Sequence, residues 1–145
     1  MPTELGNRFL TSWRGHPPHM LEPDIPVWFR FLDKYGDLFS ALYYDCLLGG
    51  PWLTPEQKLD PMQVMWRHNT SKRADAIAEL ISEVWIIEVS AYPGLRAMGQ
   101  LQTYQYLWNE DPKIDKVPRM LMVAERIDTD LAATMGKFNV HVYIV

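Results

Sequence analysis

A chain of 145 residues with 48% hydrophobic and 22% charged side chains can build one domain with its own core, but not two. No apolar run reaches the roughly 18 residues that a membrane-spanning helix needs, so we predict no membrane partner. The net charge of −4 argues against a broad basic surface for non-specific DNA binding, and the single cysteine, Cys46, excludes an internal disulfide bond.

The predicted elements start with an extended arm over residues 1–23. This arm contains four prolines and is expected to become ordered only against a neighbouring subunit. Residues 24–145 form the predicted domain. Asp24 is placed to cap a first helix, which has Pro26 in its first turn and ends at Gly36.

The remaining predicted elements alternate between strands and helices and define the fold class. In chain order they are a strand over residues 40–48, a helix over 61–69, strands over 72–80 and 83–90, a helix over 95–109, a strand over 119–125, a helix over 129–135 and a strand over 138–145. Strands joined by tight turns pair antiparallel, and strands that follow crossover helices favour parallel pairing. The pattern predicts a single α/β domain with a mixed central sheet flanked by helices.

Two carboxylates, Asp75 and Glu88, lie in neighbouring predicted strands. If these strands form a hairpin centred on Ile81 and Ser82, Asp75 stands directly opposite Glu88. Like charges in that position destabilise a sheet, and a cation between them removes the repulsion. Because one or two carboxylates commonly hold Mg²⁺, this register predicts a magnesium site. In a different register both acids simply face water, and the turn residues do not fix which register forms.

The same register places Arg73 opposite Ser90, on the face that Asp75 and Glu88 share. A guanidinium there can neutralise the carboxylates without a metal and can stabilise charge on a phosphate. It cannot act as a general base, because it stays protonated. An ordinary cross-strand ion pair is the alternative interpretation of Arg73.

The stretch that holds these acids resembles the core of the PD-(D/E)XK nuclease superfamily, in its RecB-like branch. Asp75 matches the family's Asp, Glu88 matches the Glu of its Glu-x-Lys motif, and Ser90 stands where that motif has lysine. Gln100 and Tyr104 match a Gln-x-x-x-Tyr helix motif, and they equally fit an interface glutamine and a core tyrosine. The resemblance implies a restriction-endonuclease-like fold with an αβββαβ core, in which Asp75 and Glu88 would hold Mg²⁺.

Further segments are similar to a group of small proteins encoded by tailed phages and prophages. They include DIPVWFRFL, YYDCLLGG, MWRHNTSKRADAI, WIIEVS, GLRAMGQLQTY and VPRMLMVAERIDTDLA, and they extend over residues 24–145. This likeness implies a phage protein, located in the virion or in the host cytoplasm during assembly.

The serine at residue 90 is the main departure from the family pattern. In active members the lysine orients the attacking water and offsets charge on the phosphate, and serine at residue 90 can do neither well. Strand alternation predicts Lys72 on the opposite face from Asp75. Arg96 and Lys58 are the other cations that can approach from elsewhere in the chain.

Three functions follow from these features. The first is a non-catalytic virion or assembly protein, for example a head-tail neck or connector component, which forms a homo-oligomer and binds other phage structural proteins. The many Trp, Tyr and Met side chains favour such an oligomer. The second is a Mg²⁺-dependent DNA nuclease, and the third is a DNA- or protein-binding module on the same fold. No cofactor is predicted for the first, and Mg²⁺ only for a working site.

Overall fold

Seven strands and four α-helices make up the part of the chain that the computed structural model describes, residues 3–145. The strands are β1 (Thr3–Glu4), β2 (Arg8–Phe9), β3 (Ala41–Leu48), β4 (Lys72–Glu79), β5 (Glu83–Ser90), β6 (Val117–Ala124) and β7 (Val140–Ile144). The helices are α1 (Ile25–Tyr35), α2 (Pro61–Thr70), α3 (Arg96–Glu110) and α4 (Thr129–Lys137). Every strand and helix predicted between residues 24 and 145 is present, with ends that differ by one or two residues.

All the strands belong to one mixed sheet, in the order β1, β3, β4, β5, β6, β7, and β2 also pairs with β3. The pairs β3–β4 and β4–β5 are antiparallel, whereas β5–β6 and β6–β7 are parallel. Parallel pairing begins where α3 and α4 supply the crossovers, as the sequence predicts. The predicted single α/β domain with a mixed, helix-flanked sheet is therefore confirmed.

Helices cover both faces of this sheet, and each face has its own core. On one face α1 buries Val27, Trp28, Phe31 and Leu32, which recur at helical spacing. On the other face α3 and α4 bury a second cluster, to which α3 contributes Ala97, Leu101, Tyr104, Leu107 and Trp108. Among residues 3–145, none of the helices has the length and hydrophobicity of a transmembrane segment.

The N-terminal segment differs from its prediction. From residue 3 onward it packs on the chain's own sheet, because β1 and β2 both pair antiparallel with β3. The Thr3 backbone N–H donates to Asp111 Oδ2 at 2.8 Å, and Met20 is buried. The edge of β3 thus offers this segment backbone partners within the same chain. Residues 1 and 2 lie outside the described part of the chain.

The turn after β3 is made by Gly49 and Gly50, at φ values of 66° and 79°. Glycine adopts these angles without the strain that most side chains would cause, which explains why the predicted strand closes there. At the end of α4, Asn139 takes the left-handed conformation, with a φ of 63°. The sequence predicts that this helix stops at Gly136. In the structure it continues to Lys137.

A buried hydrogen bond joins the first helix to the sheet and allows a stability prediction. Trp28 Nε1 donates to the Tyr44 hydroxyl at 2.8 Å. Tyr44→Phe keeps the ring packing but leaves the indole N–H buried without an acceptor, so we expect a loss of about 1–3 kcal/mol in the free energy of unfolding. Urea denaturation measures this loss. The half-buried Tyr43→Phe serves as the control, and an equal effect from both variants would contradict the assignment.

Candidate functional site

Four of the six predicted site residues line one cleft of about 360 Å³, at the carboxyl end of β5 and the start of α3. Asp75, Glu88, Ser90 and Gln100 all line it. The cleft brings together the two acids that sequence pairing predicted, the serine at the motif position and one member of the helix motif.

The strand register in this region is the one that the hairpin predicts. Ala76 lies opposite Ile87, and Ile77 lies opposite Ile86. Counted outward from the turn, the regular pairing extends as far as Ala76 and Ile87. Beyond that pair, the Val89 N–H donates to the Asp75 side chain, at Oδ2, over 2.8 Å. The Asp75 side chain thus serves as acceptor for the β5 backbone, and it stands next to Glu88 instead of pointing freely into solvent.

A paired distortion of β3 and β4 sets the orientation of these side chains. Asp45, which the β3–β4 register places opposite Asp75, has a left-handed backbone with a φ of 53°. In β3, Leu42 and Tyr44 pack in the core under α1, whereas Cys46 and Leu48 pack in the core under α3. The alternation of faces therefore reverses at Asp45, and simple strand counting fails beyond this point.

Arg73 does not join the acid pair, contrary to the sequence prediction. Its Nη1 donates to His19 Nε2 at 2.7 Å and lies 3.6 Å from Asp45 Oδ2. Its Nη2 donates to the carbonyl oxygen of His68 at 2.7 Å. The β4–β5 pairing has ended before residue 73, so Arg73 is not paired with Ser90 and compensates Asp45 instead.

Lys72 also differs from its prediction, for the same reason. Strand alternation predicted it on the face away from the acid pair. Instead it is exposed and lines a second cavity together with Gln100 and Tyr104 of α3. It does not line the cleft of the two acids, and Lys58, the other distant lysine considered, lines a separate cavity near Thr3 and Asp111.

Glu88 is the most perturbed acid of the cleft. Its side chain is buried, and Oε1 has no hydrogen-bond partner. Burial, followed by the neighbouring Asp75 charge, raises the pKa of Glu88 to about 9, while a contact with the Tyr104 hydroxyl acts in the opposite direction. The direction of the shift favours the protonated form of the Glu88 carboxyl.

Burial also raises the pKa of Asp75, although its contact with Glu88 and the hydrogen bond from Val89 oppose the shift. The charges of Asp24 and Asp45 add to the increase. No Lys, Arg or His of residues 3–145 forms an ion pair with Asp75 or Glu88. The two carboxyls titrate as a unit and hold at least one proton between them near neutral pH.

The two residues of the helix motif have different environments. Tyr104 is buried in the core under α3, and its pKa is raised by burial and by the nearby Glu88 and Asp75 charges. Gln100 is half-buried and borders both the acid cleft and the cavity of Lys72. Tyr104 thus contacts the acid pair from within the core, while Gln100 forms part of the cleft wall.

Sequence reasoning missed two residues of the cleft, Asp24 and His19. Asp24 does precede α1, but its side chain makes no helix cap. Asp24 Oδ1 instead accepts a hydrogen bond from Ala91 N at 2.8 Å, which ties the start of α1 to the end of β5. His19 borders the cleft from the N-terminal segment. No spacing rule connects residues 19 and 24 to residue 91, so only the fold identifies them.

The carboxylate oxygens of Asp75 and Glu88 are suitable ligands for a hard dication, but they are only two side chains. Within residues 3–145 no group of three or more His, Cys, Asp and Glu side chains is arranged to hold a metal. Two carboxylates are nevertheless enough for Mg²⁺, which keeps several waters, and the unpartnered Glu88 Oε1 is an available ligand. Asp75 and Glu88 would hold such an ion, and its charge would displace the proton that they otherwise retain. Bound there, it would supply Lewis-acid chemistry.

Comparison of this chain with protein-family models, curated proteins and solved structures gives no match.

Replacing the serine with lysine tests the electrostatics of the cleft. An ammonium at residue 90 lies in the same cleft as both acids, so we expect Ser90→Lys to lower the pKa of Glu88 by about 1–3 units. Carboxyl ¹³C chemical shifts followed through a pH titration measure this pKa. Ser90→Met, of similar length and without charge, should leave it raised. A pKa that is the same in both variants would contradict the described geometry.

Proposed function

We propose that this chain is a non-catalytic assembly protein of a phage particle, built on a nuclease-like α/β fold. The observation that carries the proposal is the acid pair without a cation: Asp75 and Glu88 share a cleft, and Ser90 stands beside them. Serine at this position supplies no positive charge to orient water or to offset charge on a phosphate.

Within the described part of the chain, none of the other cations near the cleft forms an ion pair with Asp75 or Glu88. Arg73 is engaged by Asp45 and His19, and Lys72 borders a different cavity. Arg96 lines the cleft but is exposed at the start of α3 and forms no ion pair with either acid. Arg96 can stabilise a phosphate charge, but as a permanent cation it cannot accept a proton from water.

Surface composition supports the assembly half of the proposal. Trp52, Trp66, Met62 and Met65 are each more than half exposed, although such side chains are normally found inside a protein or at an interface. The resemblance to tailed-phage proteins supports a place in a virion, for example at the neck or connector. Binding to other phage structural proteins would cover this apolar surface.

A complementation experiment tests the proposal. A phage whose copy of this gene is deleted is supplied with wild-type protein or with Glu88→Gln, which mimics the protonated acid. We expect both to restore infectivity, and we expect the chain to copurify with particles at a fixed copy number by quantitative mass spectrometry. Loss of infectivity with Glu88→Gln despite normal folding, or absence of the chain from particles, would overturn the proposal.

A Mg²⁺-dependent DNA nuclease is the second candidate, and the unpartnered Glu88 Oε1 favours it. In that case a divalent ion would replace the shared proton, and Asp75 and Glu88 would both ionise. Mn²⁺ or Mg²⁺ would then raise the melting temperature of the wild type but not of Glu88→Gln. An identical response of the two proteins would count against the nuclease.

A further inference from the structure

One ring nitrogen of His19 faces both a cation and an anion. Its Nε2 lies 2.7 Å from Nη1 of Arg73 and 3.3 Å from Oδ2 of Asp45. The three side chains, which we call the His19 cluster, come from the N-terminal segment, from β4 and from β3. Because a ring nitrogen carries either a proton or a lone pair, Nε2 can form only one of these two hydrogen bonds at a time.

The neutral imidazole selects Arg73. A guanidinium donates hydrogen bonds and accepts none, so the 2.7 Å contact requires a lone pair on Nε2 and places the ring proton on Nδ1. A second contact holds Arg73 in place, since its Nη2 donates to the carbonyl oxygen of His68 at 2.7 Å. In this form Nε2 and Asp45 Oδ2 are both acceptors, so no hydrogen bond joins them.

The protonated imidazole selects Asp45 instead. With a proton on Nε2, the ring and Arg73 are both donors and both positive, so the 2.7 Å contact between them becomes repulsive. Asp45 is the acceptor within reach, and its other oxygen, Oδ1, is buried without a hydrogen-bond partner among the described residues. Burial raises the pKa of Asp45, whereas the charges of Arg73 and His19 oppose the shift. A charged His19 therefore stabilises the Asp45 carboxylate.

The backbone of the cluster is unusual at two of its three members. His19 has a φ of 61° and Asp45 a φ of 53°, so both are in the left-handed region. This conformation is uncommon outside glycine, and it is found most often where surrounding contacts hold a functional group in position. Here the two residues that adopt it are the two whose side chains meet at 3.3 Å.

We infer that the His19 cluster is a proton-operated switch, in which protonation of His19 moves its Nε2 hydrogen bond from Arg73 to Asp45. Imidazole is the side chain that ordinarily changes charge between about pH 5 and 8. The switch acts on the acid cleft, because His19 lies on the wall of that cleft. Protonation adds a positive charge to a wall where Ser90 supplies none. This inference goes beyond the proposed assembly function and does not depend on it.

Other charged groups around the cluster shift the balance between its two forms. Ionised acids on the cleft wall favour the protonated ring, and cations oppose it. The described groups that line the cleft or act on the charge of Asp45 are Asp24, Asp75, Glu88, Arg96 and His68. Arg73 and Asp45 differ from these groups because each lies within hydrogen-bonding reach of Nε2, so they are the residues to replace in a test.

Imidazole ¹⁵N NMR of the full chain, recorded through a pH titration, tests the switch. At high pH we expect the His19 ring to carry its proton on Nδ1, and at low pH on both nitrogens. Arg73→Met removes the competing cation and should move the midpoint of the His19 titration to higher pH. Asp45→Asn removes the anion and should move the midpoint to lower pH, and asparagine tolerates the left-handed backbone at this position.

His141 is an internal control in the same spectra. Its Nε2 also contacts an arginine, Arg119, at 3.1 Å, and its titration should be the same in wild type and both variants. Circular dichroism checks folding, and if Arg73→Met is unfolded, Asp45→Asn decides the question alone. A proton on His19 Nε2 at high pH, or a midpoint that Asp45→Asn leaves unchanged or raises, would overturn the inference. Neither result alters the complementation experiment, so the two proposals fail separately.

Discussion

Raising the pH from about 5 to about 9 is expected to weaken the folded state steadily. The pKa of Glu88 is raised from 4.5 to about 9 by burial and by Asp75, so the folded protein keeps a proton that the unfolded chain releases. The stabilisation is complete below about 4.5 and is lost as the pH rises through the folded pKa. The slope approaches 1.4 kcal/mol per pH unit for one such group, as an order of magnitude. The raised pKa of Asp75 acts in the same direction.

Urea denaturation at a series of pH values measures this slope, provided that the m-value stays constant. Glu88→Gln removes the titrating group and should flatten the dependence between about pH 5 and 9. Glu110→Gln, which changes an exposed carboxyl at the end of α3, should retain the wild-type slope. Parallel curves for wild type and Glu88→Gln would show that Glu88 is ionised in the folded state.

Replacing Arg67 with methionine is expected to cost about 3 kcal/mol or more in the free energy of unfolding. Arg67 Nη1 donates to the Gly49 carbonyl at 2.9 Å, to Ser71 Oγ at 3.2 Å and to the Pro51 carbonyl at 3.3 Å. Its Nε donates to Glu4 Oε1 at 3.0 Å. Methionine fills part of the volume but removes all four of these hydrogen bonds from a buried position, which is costly.

The loss should be localised as well as large. Because Arg67 anchors α2, hydrogen exchange of the α2 amides should accelerate in Arg67→Met before that of the central strands. Arg14→Met is the control, since its ion pair with Asp33 is on the surface and worth less than about 1 kcal/mol. A similar loss of stability in both variants would show that Arg67 does not have this role.

The regular elements could be predicted from the sequence because their signals are local. Turn residues bound β4 and β5, helical spacing marks α1 and α3, and the tight hairpin placed Asp75 beside Glu88. Strands β1 and β2 escaped prediction, since two residues are too few to show any periodicity. Their formation depends on the exposed edge of β3, which is a tertiary property.

The predicted positions of side chains were wrong where the backbone of the strands is irregular. The left-handed conformation of Asp45 reverses the alternation of β3, and β4 follows it. Because of this reversal, Arg73 lies near Asp45 and Lys72 lies beside α3. Strand counting predicted Arg73 on the face of the acid pair and Lys72 on the face away from it. Aspartate tolerates the left-handed region better than most residues, but nothing in the sequence marks Asp45 for it.

Cleavage of supercoiled plasmid DNA in Mg²⁺ or Mn²⁺ is the most direct measurement of whether the acid pair has lost catalysis. Wild type, Asp75→Asn and Glu88→Gln are purified in parallel, so that contaminating nucleases affect all three equally. With no ammonium beside the acid pair, we expect the wild type to cut no faster than either variant. Metal-dependent nicking by the wild type that both variants abolish would contradict the non-catalytic account.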